Sequence, residues 1–272
     1  MGFLADLLDF RLFFLAALIF VPLERLLAAR DQRVLRRLWS HDIVYVFANG
    51  LLIRIGLFAA FMLAFAASPL LVPQGLHAAI EAQPLWLQVI EVLLIADLIF
   101  YLFHRLFHAV PALWRIHAIH HSIEEMDWLA AHRIHPADQI ITKGASLVPC
   151  FALGFADTAI VVYALAYHFH TCLLHANIRL GFGPLRWLFT SPNFHHWHHC
   201  RDVEAWDRNF ATQLAVWDFL FGTAYLPNDR KAENFGIGET LPETYAGQLL
   251  HPFRPPAEKI TLPGSAAAPE IG

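Results

Sequence analysis

Charge is scarce in this chain. Asp, Glu, Lys and Arg make up 15% of its 272 residues, against roughly 25% in an ordinary soluble domain. The net charge is only −4, and no basic stripe offers a surface to nucleic acid. Cysteine is scarce as well. Cys150, Cys172 and Cys200 form no close-spaced pair, so neither a disulfide framework nor a thiolate zinc ribbon is supported. No internal repeat is visible. Apolar residues take up the space: 57% of the chain is hydrophobic and its mean hydropathy is +0.46. That composition points to lipid.

Taken in order, Phe10 to Ala28 is the first apolar stretch and is nearly long enough to span a bilayer. It does not read as a secretory signal: Asp6 and Asp9 precede it, and Pro22, Glu24 and Arg25 break its far end. From Arg30 to Trp39 the chain is basic, and Val34, Leu35, Leu38 and Trp39 recur at helical spacing. This predicts either a helix lying in the membrane surface or a solvated linker. A second span falls within Ile43 to Val72, with Arg54 snorkelling at an interface. The third runs from Leu85 to Phe103. Basic residues follow the first and third spans, whereas the loop from Pro73 to Pro84 has none. The end of the third span is therefore expected on the cytoplasmic side, and the N-terminus away from it. Ile140 to Asn177 reads as a helical hairpin that enters and leaves on that same side, or as one span plus an interfacial helix. The chain then turns polar, and the Pro- and Ala-rich tail over 255–272 is expected to be disordered. Residues 1–254 form one domain.

Histidine is the anomaly. There are 17, of which 14 fall between His104 and His199. Three dense groups carry them: His104-x3-His108; His117-x2-His120-His121; and His195-His196-Trp197-His198-His199, whose first, fourth and fifth members repeat the second spacing. On a helix such spacings bring two rings to one face, with the adjacent histidine free to turn to a neighbouring metal. His175, at the end of the hairpin, is a ninth candidate ligand. Nine imidazoles exceed what one zinc uses, so two metals are expected. Imidazole suits iron, zinc, copper and nickel alike, and the spacing does not choose among them. His170 and His135 are candidates for an extra ligand or a supporting role. His196 is expected to face solvent or support the ligands from behind, and His41, His77 and His251 stand alone. Asp97, inside the third span, lies on the helical stripe of His104 and His108 and could orient a ligand or pair with Arg54. Glu124, Glu125, Asp127, Asp207 and Asp218 are candidate carboxylate partners of ligating histidines, with Asp218 singled out by its apolar surroundings. A metal transporter would string ionisable ligands along a path at mid-membrane. A zinc hydrolase would need far fewer histidines.

The motifs HRLFH, HAIHH, AHRIHPAD, LLHANIRL, SPNFHHWHH and WDFLFGT together resemble the fatty acid hydroxylase / sterol desaturase superfamily over residues 97–224. The resemblance implies an all-α integral membrane enzyme, here about three spans plus the hairpin, with a cytosolic helical cap over a non-haem di-iron centre. It implies that His104, His108, His117, His120, His121, His195, His198 and His199 bind iron, and it matches His175 to a separate histidine on a later helix. The implied chemistry is hydroxylation or desaturation of a lipid by O2 and two electrons. No haem or flavin domain fits in the chain, so a separate donor of cytochrome b5, ferredoxin or reductase type is expected. One departure stands out. Ala211 replaces a glycine that many members place after Asn209-Phe210, so the local turn is expected to differ if that position needs a positive φ.

Overall fold

Long apolar runs without a turn signal become long helices in the computed structural model, in which residues 10–254 are described. The tail expected to be disordered lies outside them. Helix α1 covers Phe10–Leu26, α2 Trp39–Leu71, the short α3 Gln74–Glu81 and α4 Leu85–Ala109. Two helices, over Trp39–Ser68 and Leu85–Ala109, are long and apolar enough to cross a membrane. The expected first span, α1, has 17 residues, roughly 26 Å at 1.5 Å per residue. Leu63 and Phe65 on α2 leave 72% and 65% of their surface exposed, and the residues from Ile55 to Leu71 include no charged side chain.

Prolines set the boundaries. Val72 and Val110 are extended because Pro73 and Pro111 follow them. Pro111, Pro136 and Pro192 then each take the first turn of a helix, where the missing N–H costs nothing. These helices are α5 (Pro111–His121), α6 (Pro136–Ala152) and α8 (Pro192–His198), and each delivers or supports histidines. Between α6 and α7 (Asp157–His175) the chain reverses at Gly154, whose φ is +92° and whose missing Cβ leaves room for the His77 ring. The expected hairpin is thus present as a pair of helices. Its turn sits against α3 and the adjoining ends of α2 and α4: Ser68 Oγ donates to Ala152 O, and Ala156 N donates to Gln88 Oε1. The histidines occupy the opposite end of the bundle.

Apolar packing ties α2, α4, α6 and α7 together through Ile53, Leu57, Val92, Leu147 and Ile160. A second cluster, Phe13, Phe20, Trp128 and Cys172, seats α1 against α7 and the turn at Trp128–His132. The segments around α5 and α8, which cap the bundle at its histidine end, have their own core of Ile123, Met126, Trp197 and Phe235. Among the described residues there is no strand; two isolated bridges pair Ala28 with Ile178 and Cys200 with Phe235.

The basic stretch from Arg30 to Leu38 is not a surface helix but a linker that is largely exposed. It is irregular, and Arg36 is buried within it. Its guanidinium bonds Asp42 at 2.5 Å and Asp127 at 2.8 Å, and Asp42 also takes a bond from Arg133 at 2.5 Å. Val34, Leu35 and Trp39, whose spacing suggested a membrane-surface helix, stay 46%, 58% and 37% exposed, and it is Arg36 that anchors the segment.

Candidate metal centre

Nine histidines meet where α4, α5, α7 and α8 converge. They form two groups, in each of which the candidate ligand atoms all lie within 4.8 Å of one another. The first group is His104 and His108 of α4, His117 and His121 of α5, and His198 of α8. The second is His120 of α5, His175 at the end of α7, and His195 and His199 of α8 and its C-cap. The groups abut: the rings of His121 and His199 stack at 4.5 Å, and those of His117 and His120 lie 5.5 Å apart.

This sorting corrects one expectation. On both α5 and α8 the pair that shares a group is spaced i, i+4 (His117 with His121, His195 with His199), while the third histidine of each motif crosses to the other group. At 3.6 residues per turn, i+4 lies about 40° off the starting direction and i+3 about 60° off on the other side. His120 and His198 therefore point away from their i−3 partners.

Proton positions follow from what each ring nitrogen touches. A carbonyl only accepts, so a ring nitrogen bonded to one must carry the proton. His104 Nδ1 donates to Phe210 O at 2.7 Å, His120 Nδ1 to Arg133 O at 3.1 Å, His175 Nδ1 to Thr171 O at 2.8 Å and His198 Nδ1 to Arg208 O at 2.7 Å. His117 Nδ1 meets the buried Asp138 carboxylate at 2.6 Å, and His108 Nδ1 meets Asp207 at 3.2 Å. In these neutral rings Nε2 is a bare lone pair. Yet His104 Nε2 stands 3.0 Å from His117 Nε2, and His120 Nε2 stands 3.0 Å from His175 Nε2. Two lone pairs at that distance repel unless a cation lies between or beside them.

Further buried nitrogens have no partner at all: His108 Nε2, His121 Nε2, His195 Nδ1, His198 Nε2 and His199 Nδ1. Each unsatisfied buried group costs about 1–3 kcal/mol, which makes the cluster a poor core on its own. Burial, and after it the neighbouring imidazoles, hold His121, His195, His198 and His199 well below the ordinary 6.5. The rings are neutral at physiological pH, the form that ligates metal. The donor set fits metal ions.

The remaining candidates sit around the centre rather than in it. Asp97 neither touches a histidine nor pairs with Arg54 as a carboxylate ligand would. It accepts from Gln213 N and Leu214 N at 2.9 Å and from Trp217 Nε1 at 3.1 Å. Asp218 accepts from Phe210 N and Ala211 N at 2.8 Å and from Thr223 Oγ1 at 2.6 Å. Both carboxylates thus hold the segment whose carbonyls orient His104 and His198. His135 caps α6 by accepting from Ala137 N at 3.1 Å, and His170 donates to Thr190 O at 2.9 Å. His196 is buried rather than solvent-facing and meets Arg30 at 3.2 Å. Of the carboxylates expected behind the ligands, Asp207 meets one, whereas Glu124, Glu125 and Asp127 pair with Arg37 or Arg36 instead. Asp138 was not anticipated. Its signal was present in His135-Pro136-Ala137-Asp138: the proline starts a helix, and the carboxylate in its first turn points back at α5.

The substitution at Ala211 leaves the turn intact, because the left-handed residues are Asp207 (φ 53°) and Asn209 (φ 59°). Asn tolerates that conformation better than most residues. Its buried side chain also donates to Phe194 O and Tyr225 O and accepts from Tyr225 N, at 2.7–2.8 Å.

Beside the centre, a cavity lies within the bundle between α1, α2, α4, α6 and α7. Phe100, Tyr167 and Thr171 lie at its histidine end, with Ile53, Leu57 and Leu147 among its apolar lining. The Phe100 ring is 5.4 Å from that of His104, and Thr171 supplies the carbonyl that orients His175.

Two histidine groups, each able to hold a metal ion, at the end of an apolar helical bundle define a narrow class of protein. The fatty acid hydroxylase family model matches residues 89–223, which hold all nine histidines, and over this stretch the chain belongs to that superfamily. It is 31% identical to an ornithine lipid hydroxylase of Rhizobium tropici over 170 residues, covering 62% of this chain and 51% of that one. Human alkylglycerol monooxygenase is 31% identical over 134 residues, 49% of this chain and 30% of that enzyme. A very-long-chain aldehyde decarbonylase of Oryza sativa is 25% identical over 138 residues, 50% and 52% of the two chains. The chain thus spans about half or less of the length of these relatives. No solved structure matches it.

Proposed function

We propose that this chain is a membrane-bound non-haem di-iron oxygenase that hydroxylates or desaturates a lipid. The observation that carries the reading is the pairing of unprotonated Nε2 atoms 3.0 Å apart in both histidine groups, directly beside an apolar cavity. His104, His108, His117, His121 and His198 would hold one iron, and His120, His175, His195 and His199 the other. When bound, the two irons supply O2 activation and cleavage of an unactivated C–H bond. The chain's own residues do the rest. Asp138, Asp207 and the carbonyls of Phe210, Arg208, Arg133 and Thr171 fix the tautomer and aim of six of the nine rings, as partners behind metal ligands do. Phe100 and Tyr167 place apolar surface between cavity and centre, and the buried cap excludes water.

In this reading α1, α2 and α4 cross the bilayer, the α6–α7 hairpin dips in from the histidine side, and that side is cytoplasmic. A substrate tail would lie in the cavity among Ile53, Leu57 and Leu147. Electrons would come from a separate donor protein. The names of the relatives, a lipid hydroxylase and an alkylglycerol monooxygenase, agree with a lipid substrate. The test is metal analysis of purified protein together with lipid mass spectrometry of cells with and without it. About two irons per chain are expected, with an O2-dependent lipid change of one oxygen or two hydrogens. Active protein holding a single zinc and no iron would refute the reading.

A further inference from the structure

One side chain in the cavity is not explained by an apolar tail. Lys143 lies on α6 five residues beyond Asp138 and lines the cavity with Tyr167, whose ring centroid is 5.7 Å from the ammonium nitrogen. Among the described residues it makes no hydrogen bond and no ion pair within 4.0 Å. The nearby carboxylate of Asp138 is engaged by His117. Among the described residues no Asp, Glu or Arg lines the cavity, so none of them gives the ammonium a counter-charge there. An ammonium facing apolar walls is costly to maintain without a partner.

Other unsatisfied groups gather at the same wall. Gln139 Oε1, Ser146 Oγ and His168 Nε2 have no hydrogen-bond partner, and Gln139 and Ser146 are buried. Lys143, Gln139 and Ser146 come from successive turns of α6, while His168 faces them from α7 and its ring is 5.8 Å from that of His132. A polar patch around Lys143 therefore stands beside the apolar lining of Ile53, Leu57 and Leu147. Its Tyr167 wall touches Phe100 at 5.8 Å, and Phe100 in turn touches His104.

We propose that Lys143 anchors the carboxylate of a fatty-acid-like ligand, with Ser146 donating to a carboxylate oxygen and the hydrocarbon chain running along Ile53, Leu57 and Leu147. A monoanion fits better than a phosphate. Among the described residues the cavity offers one lysine and no arginine fork, the group suited to bidentate phosphate recognition. This inference rests on the reading of the cavity as a lipid site, but not on the identity of the metals.

The test uses the full chain in detergent micelles, with binding of radiolabelled palmitate, hexadecanol and lysophosphatidate measured at equilibrium. Metal content is measured on the same samples. Palmitate is expected to bind about tenfold more tightly than hexadecanol. Lys143→Met and Lys143→Gln should bring palmitate down to the level of hexadecanol and leave hexadecanol unchanged. Ligand-free Lys143→Met should melt no lower than the native chain, since it loses an unpaired charge. Equal binding of palmitate and hexadecanol by native protein would overturn the assignment. So would a preference that survives Lys143→Met, tighter binding of lysophosphatidate, or a lower melting temperature in Lys143→Met with hexadecanol binding lost as well. Binding of none of the three lipids would sink the lipid reading of the cavity itself. Absence of iron with the palmitate preference intact would sink only the di-iron reading.

Discussion

Asp138 is where the metal-centre reading is most exposed to test. Its carboxylate meets His117 Nδ1 at 2.6 Å, and both groups are buried. The contact fixes His117 as the tautomer with Nε2 free, and the negative charge makes that nitrogen a better ligand. Partners of this kind are worth about 10–100-fold in metal affinity. Asp138→Asn keeps an oxygen that accepts from Nδ1 and loses only the charge, so the low end applies: about tenfold, or ~1.4 kcal/mol. Asp138→Ala leaves Nδ1 unpaired in a dry site and should approach 100-fold, ~2.7 kcal/mol. His117 belongs to the first histidine group, so the loss should fall on one metal. In a chelator titration followed by elemental analysis, each variant should release one equivalent earlier than native protein and the second at the native position. The retained second metal also reports that the chain is folded. If both variants release metal as native protein does, or both equivalents shift together, the assignment of Asp138 to one site is wrong.

Other expectations concern the rest of the centre. His120→Ala should abolish activity and remove about half of the bound metal, whereas His170→Ala, which touches neither group, should leave metal content unchanged; the two are compared by elemental analysis and turnover. Asp218→Ala strips acceptors from Phe210 N, Ala211 N and Thr223 Oγ1; it should cost on the order of 3 kcal/mol and lower the melting temperature, and an unchanged melt would contradict the clamp. His195, His198 and His199 are held well below 6.5 in the folded chain by burial. The unfolded chain therefore binds more protons, so their contribution is fully present above about pH 6.5 and is lost as pH falls below it. Metal-stripped protein should melt progressively lower between about pH 7 and pH 5, and a flat profile would count against neutral buried rings.

Much of this was legible in the sequence because the informative periods are short. His104 and His108 at i, i+4, Pro111 as a break, and a second copy of the His-x2-His-His spacing are local patterns, and the helix positions them directly. The hairpin was legible from two apolar runs with Gly154 between them. What escaped reading depends on contacts distant in sequence. Nothing local tells that Asp97 would reach Gln213 and Leu214, residues 116 and 117 positions away, rather than a ligand one turn along. The basic run through Arg36 looked like a surface feature because its partners, Asp42 and Asp127, belong to other elements. Asp138 was overlooked because its partner lies across a turn, on α5.

The two histidine groups are held by different parts of the fold, and this has a consequence for order in the cap. In the second group, His120 and His175 are aimed by carbonyls of Arg133 and Thr171, next to or within the helical bundle. In the first, His108, His198 and His104 are all aimed by one short segment, through Asp207, Arg208 O and Phe210 O. That segment contains the left-handed residues Asp207 and Asn209 and is fastened by Asp97, Asp218 and the Asn209 side chain. Asn209→Ala gives up three buried hydrogen bonds and the residue type that tolerates the conformation, a loss of about 2–4 kcal/mol from these two sources. The damage should not spread evenly. Metal at the first group should be lost and amide exchange in 207–214 should quicken, while the second metal and the exchange of α7 stay as in the native chain. Simultaneous loss of both metals would mean that the cap and the bundle order as one unit.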